Sequence, residues 1–303
     1  MLCVCFFLTT LAAAAQSGQF RYAVIPENPR PGEPVTIGIG AANKVRQAAL
    51  MVDEKRLARA AFFAVPAGEG KLNFMAAVLT VPSTARPGPA LIIVEGPTGV
   101  LLEIPLNIED RDFVSEVIEL NPVLTGIRVD PDPQKTAESE LLWAILSRTG
   151  REIYSTGAFA PPVSSTRLTS FFGDRRVYKY SNGASDTSIH AGIDFGVPTG
   201  TPVQACGPGK VVLARFRIVT GNSVVIEHLP GVYSLYYHLD SIEVDEGVIV
   251  NTGTLLGLSG ATGLATGPHL HWEIRVSGEN TDPDAFIARP ILDKDAILGK
   301  IRY

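Results

Sequence analysis

Cysteine is nearly missing from this 303-residue chain: there are three, and two of them, Cys3 and Cys5, lie in the first fifteen residues. If that segment is removed, only Cys206 remains and no intramolecular disulfide can form. Positive charge is also short, 26 Lys and Arg against 31 Asp and Glu, and a net charge of -5 excludes a broad basic surface for nucleic acid. Beyond the N-terminus no apolar run reaches the roughly 18 residues that a membrane-spanning helix needs. Histidine is absent until residue 190, and all five histidines follow from there.

The chain is long enough for two domains with real cores, and its 46% hydrophobic content is that of a globular protein. Met1 to Ala15 form an apolar run that closes in Leu-Ala-Ala-Ala-Ala, the pattern of a secretory signal, although no Lys or Arg precedes it. No Leu-x-x-Cys lipid-attachment pattern follows, so the expected product is exported and soluble in the periplasm, the cell envelope or outside. Residues 17–110 alternate short β-branched runs with Pro/Gly turns, as in Pro34–Ile39 and Ala90–Val94, which predicts an Ig-like β-sandwich. Residues 111–165 read as a linker with one helix, Thr136–Arg148, whose apolar residues fall at helical spacing. Residues 166–288 return to short strands with Gly-rich turns and no helical pattern between them, which predicts an antiparallel sheet. A tail of 289–303 closes a mainly β chain.

The chemistry-bearing residues all lie in that last sheet. His190-Ala-Gly-Ile-Asp194 and His269-Leu-His271 offer imidazoles and a carboxylate, the ligands that tetrahedral Zn²⁺ accepts. Three protein ligands leave one position open, as catalytic rather than structural zinc requires. Residues two apart on a strand share a face, so His269 and His271 point the same way while Leu270 turns into the core. A fully extended run would part His190 from Asp194 by about 13 Å, and Gly192 between them lets the chain bend. His238 and one member of the His-Leu-His pair are then free to handle protons. His228, at Glu-His-Leu-Pro-Gly, reads as a structural turn histidine. The polar segment Tyr178–Ser188, after a bend at Gly173, is a candidate wall of a peptide groove. Cys206 reads as a small packed hydrophobe.

His-x-Gly-x-Asp, Tyr236-Tyr-His-Leu239 and the run from Gly263 to Glu273, Gly-x-x-x-Gly-Pro-His-Leu-His-x-Glu, occur in the same order as in the lysostaphin-like zinc endopeptidases of bacterial peptidoglycan. The chain resembles that family over roughly residues 165–287, including Gly-Val-Pro-x-Gly-x-Pro-Val after Asp194. The resemblance implies one zinc per chain held by His190, Asp194 and His271. It makes His238 and His269 the catalytic histidines, with peptidoglycan peptides as substrate. It does not extend to the predicted sandwich, and residues from about 165 are expected to carry the whole reaction. An alternative is a non-catalytic envelope protein that binds peptidoglycan or regulates another hydrolase. Neither the bond cleaved nor the oligomeric state is legible.

Overall fold

The structure is a computed structural model describing residues 20–40, 44–66 and 73–301. The predicted signal segment lies outside the described residues. The chain is mainly β, with four helices among the described residues: Pro122–Val129 (α1), Pro133–Leu146 (α2), Pro283–Ala288 (α3) and Lys294–Ile301 (α4). None is long and apolar enough to cross a membrane. The chain divides into two compact units, Asp112–Ile291 and the remainder, so that Leu292–Tyr303 cluster with the N-terminal strands.

The first unit contains Tyr22–Ile25 (β1), Pro34–Gly40 (β2), Gln47–Val52 (β3), Lys55–Ala61 (β4), Phe63–Val65 (β5), Phe74–Thr80 (β6), Gly88–Gly96 (β7) and Gly99–Ile108 (β8). They form two antiparallel sheets, in the orders β1-β2-β6-β5 and β4-β3-β7-β8. Strict alternation drives this. In β8, Leu102, Ile104, Leu106 and Ile108 are buried while Glu103, Pro105 and Asn107 face out. Apolar faces of both sheets supply one core, with Ile37, Ile39 and Leu79 from one and Leu50, Ile92 and Leu102 from the other. Where a tail was expected, α4 packs on β2: a Cβ at Gly38 would stand 2.3 Å from Ile297.

The second unit begins with Ser115–Glu119 (β9), Leu168–Ser170 (β10), Arg175–Lys179 (β11), Ser185–Ile189 (β12) and Ile193–Phe195 (β13). It continues with Pro202–Gln204 (β14), Gly209–Arg217 (β15), Gly221–Leu229 (β16) and Val232–Ile242 (β17). Ile249–Val250 (β18), Leu255–Ser259 (β19), Leu270–Val276 (β20) and Glu279–Thr281 (β21) complete it. An antiparallel sheet runs β10-β13-β20-β17-β16-β15-β18, with β14, β19 and β21 attached beside it. Its centre is covered on both faces: Val232 through Leu239 of β17 are all buried.

Residues 112–165 are more than a linker with one helix. β9 joins a small sheet, β12-β11-β9, by pairing parallel to β11. α1 starts at Asn121-Pro122, where the Asn121 side chain accepts from Leu124 N at 2.9 Å. α2 overlaps the predicted helix but starts three residues earlier and ends two earlier, and is capped by Asp132, which accepts from Gln134 N at 2.7 Å. Its Ile145 and Leu146 enter a core cluster with Leu213, Val225, Tyr233, Leu235 and Tyr237. The stretch after it is pinned too: Phe159 N donates to Phe286 O and Ala160 N to Cys206 O.

Candidate metal centre

In β13 and β20, Asp194 stands directly opposite His271. Cross-strand partners share a face, so the sheet register alone brings carboxylate and imidazole together. His190 arrives just before β13, its N–H bonded to Asp174 O at 2.9 Å and the Gly173 N–H bonded to its carbonyl. Gly192 makes the bend between His190 and Asp194 possible by close approach: a Cβ there would meet the Trp272 carbonyl oxygen at 2.2 Å. All three side chains are buried, and each offers an atom within 4.8 Å of the others.

Hydrogen bonding fixes what those atoms present. His190 Nδ1 faces the Phe171 carbonyl at 2.8 Å; a carbonyl only accepts, so Nδ1 carries the proton and Nε2 a lone pair. His271 Nε2 faces Glu273 Oε1 at 2.9 Å and donates to it. His190 Nε2 is 3.0 Å from His271 Nδ1 and 3.2 Å from Asp194 Oδ1, which is 2.7 Å from His271 Nδ1. Two ring nitrogens and a carboxylate oxygen thus converge on one point. Three lone pairs this close repel unless a cation sits among them, and the mixed N/O set suits a divalent metal of the zinc type. Without metal, a proton does that work. Burial alone would lower the His271 pKa, but the Asp194 and Glu273 carboxylates outweigh burial and lift it to about 9. Burial likewise pushes Asp194 up, yet His271 and His190 hold it well below the usual carboxylate range. Glu273 is held low by Arg275, whose Nε donates to it at 2.8 Å, and by His271.

His238 and His269 stand beside this cluster with ring centroids 4.8 Å apart. His238 Nδ1 donates to Thr262 O at 2.7 Å and His269 Nδ1 to Gly267 O at 2.8 Å. Each therefore keeps a lone pair on Nε2, and that of His269 lies 3.8 Å from Asp194 Oδ1. Burial and the neighbouring His269 and His271 push His238 down to about 3; burial lowers His269 as well. Both are neutral at pH 7. His238 has a left-handed backbone, φ 61°, and its N–H donates to Thr220 O. Adjacent strand residues normally face opposite sides, yet Tyr237 and His238 both line the cleft. The left-handed residue is what turns His238 inward, a local distortion of the kind that gathers at functional sites.

The cleft holds about 270 Å³. One wall is a face of the small sheet: Arg176 and Tyr178 of β11, Ser188 of β12 and Ile118 of β9 all line it. The expected groove wall at Tyr178–Ser188 is therefore a hairpin rather than a loop. Leu120 and Arg128 add to the lining from before residue 165, so the cleft is not built from residues 165 onward alone. Arg128 lies 3.9 Å over the Tyr178 ring and grips Asp186 with two nitrogens. His228 is elsewhere, bonded to Pro208 O and Ser234 and fully buried, in keeping with a structural role. Cys206 is buried beside it with its thiol pushed up to about 12, too high for a nucleophile.

Residues 188–283 match the profile of peptidase family M23. The catalytic domain of the prophage-encoded M23 protein EnpA of Enterococcus faecalis is 32% identical, with 42% of this chain covering 95% of that domain at a TM-score of 0.36. This chain belongs to peptidase family M23. A Pseudomonas aeruginosa structure assigned to peptidase M23 is 28% identical, covering 86% of this chain and 94% of its own, with a TM-score of 0.57. The peptidoglycan DD-endopeptidase ShyA of Vibrio cholerae is 42% identical over 118 residues, 39% of this chain and 27% of ShyA. The chain spans less than a third of the length of the first curated relatives it matches. The M23-matching residues 188–283 lie within the unit that carries the histidine cluster.

Proposed function

We propose that this chain is an exported, zinc-dependent endopeptidase that hydrolyses peptide bonds in the stem peptides or cross-links of bacterial cell-wall peptidoglycan. The observation that carries the reading is the convergence of three lone pairs, from His190, Asp194 and His271, in a cleft beside two neutral imidazoles. The relative ShyA is named a peptidoglycan DD-endopeptidase and the Neisseria relative Mpg a DD-carboxypeptidase/endopeptidase, which supports the substrate class. Export rests on the apolar, Ala-terminated segment Met1–Ala15. The strand orders β1-β2-β6-β5 and β4-β3-β7-β8 support an Ig-like reading of the first unit, which carries no histidine and, among the described residues, none that lines the cleft.

In this reading His190, Asp194 and His271 hold one zinc ion. Zinc supplies a Lewis acid that makes water acidic near neutral pH and polarises a carbonyl. His238 and His269 do the proton work. Their Nδ1–H groups are tied to backbone carbonyls, which fixes both rings, and their Nε2 atoms accept the proton of the attacking water and return it to the leaving amine. Arg176, Tyr178, Ser188 and Thr220 line the space beside them where a peptide would lie.

The test is digestion of isolated peptidoglycan by the zinc-loaded chain, with mass spectrometry of the released fragments. New free amino groups on stem peptides are expected, and their position names the bond. A chain that binds peptidoglycan and one zinc but releases nothing would overturn the proposal in favour of a binding or regulatory protein.

A further inference from the structure

Asp194 uses its two oxygens differently. Oδ1 faces His190 and His271, whereas Oδ2 accepts from Arg176 Nη2 at 2.9 Å. The Arg176 side chain is only 12% exposed, and its Nε and Nη2 have further partners. Its Nε pairs with Glu116 Oε1, and Nη2 also donates to Ser170 Oγ at 2.6 Å. Ser170 Oγ lies 2.9 Å from Glu116 Oε1 and 3.2 Å from Asp174 Oδ2, and that same Asp174 oxygen accepts from Phe171 N. The parallel pairing of β9 with β11 sets Glu116 opposite Arg176. Glu116, Arg176 and Asp194 thus form one line of ion pairs reaching the cluster from a strand far upstream in sequence.

We propose that Glu116, acting through Arg176, is a positioning residue that fixes which oxygen of Asp194 faces the metal and so sets zinc affinity. The inference rests on the reading of Asp194 as a ligand. A carboxylate on a short stem rotates easily about χ2, and a single N–H on Oδ2 stops that rotation. The planar guanidinium can meet two carboxylates and a hydroxyl at once, which an ammonium cannot. Alone beside Asp194, the Arg176 cation would draw charge from the carboxylate and weaken it as a donor; Glu116 offsets that charge. Glu116 and Arg176 both lie outside the segment that matches the M23 profile, so the profile assigns them nothing. A merely structural role, pinning β9 to β11, predicts a different outcome from positioning.

The experiment uses the full chain and its variants Glu116→Gln, Arg176→Lys, Asp194→Asn and, as a control on the other parity of β9, Val117→Thr. Zinc affinity is read by competition with a chromogenic chelator, and thermal unfolding is read on the metal-free proteins. Partners of metal ligands typically contribute about 10–100-fold to affinity. Glu116→Gln is expected to bind zinc about tenfold more weakly, and Arg176→Lys, which keeps the charge but loses the fork, more weakly still. Metal-free Glu116→Gln should melt where wild type does, and Val117→Thr should match wild type in both readouts. Glu116 is partly exposed and the change is isosteric, so this variant decides the matter even if Arg176→Lys does not fold. Unchanged zinc affinity in Glu116→Gln, with or without a lowered melting temperature, overturns positioning. Unchanged affinity in Asp194→Asn overturns the ligand assignment itself.

Discussion

Each histidine of the second unit is defined by what its other nitrogen does. His190 and His271 have one ring nitrogen tied to Phe171 O and Glu273, so the other is aimed at Asp194. His238 and His269 have Nδ1 tied to carbonyls and Nε2 free. The expected consequence is a clean split between variants. His238→Ala and His269→Ala should retain zinc and lose about 10²–10⁴-fold in turnover, the usual worth of general acid–base help; Asp194→Ala and His271→Ala should lose the metal. Elemental analysis beside steady-state rates checks both, and zinc loss in His269→Ala with retention in His271→Ala would reverse the roles within the pair. His228 predicts a different pH effect. Burial lowers it from 6.5 to about 4 in the folded chain. Between those values the unfolded chain binds a proton that the folded chain refuses, so stability present above pH 6.5 is lost as pH falls toward 4. At 1.36 kcal/mol per unit this amounts to about 3 kcal/mol. Denaturant unfolding of the metal-free chain at pH 7 and pH 4 should show wild type losing about that much more than His228→Gln.

At the scale of elements, the strands that carry the site were legible and its supports were not. His190, Asp194, His269 and His271 announce themselves because ligand chemistry, strand parity and a bend-permitting glycine coincide within short phrases. The inward turn of His238 depends on a left-handed residue that nothing in Tyr-Tyr-His-Leu encodes. β9 is harder still. Ser-Glu-Val-Ile-Glu is five residues long, with none fully buried, and its partner β11 lies 60 residues on, in a parallel pairing. α1 did carry a signal, Asn121-Pro122 at cap and first turn. Counting residues 111–165 as a linker left out Ile118, Leu120 and Arg128 from the cleft lining and Glu116 from the ion pair with Arg176. The apolar side of the predicted helix does pack as its spacing implies: Ile145 and Leu146 join Tyr233 and Leu235 in one core cluster. A fragment starting near Ser164 uncovers that cluster and loses β9. It should melt below a fragment starting at Asp112 and bind zinc more weakly; equal melting and equal affinity would show that the upstream elements are dispensable.

At the scale of the whole molecule, all five histidines fall within the unit Asp112–Ile291, while the other unit has cores and turns but no histidine. In the metal-free chain His271 holds a proton up to about pH 9 between Asp194 and Glu273. Metal must displace it. Zinc uptake at pH 7 should therefore release about one proton per chain, and affinity should rise with pH until about 9; calorimetry in buffers of different ionisation enthalpy measures this, and uptake without proton release would contradict the assignment of His271. The most direct test of the central claim is a zinc titration of the chelator-stripped full chain, reading amine release from isolated peptidoglycan. Activity should be absent without metal and rise linearly to saturation at one zinc per chain. Cleavage that persists in the stripped chain, or a chain saturated with zinc that cuts nothing, would contradict the account.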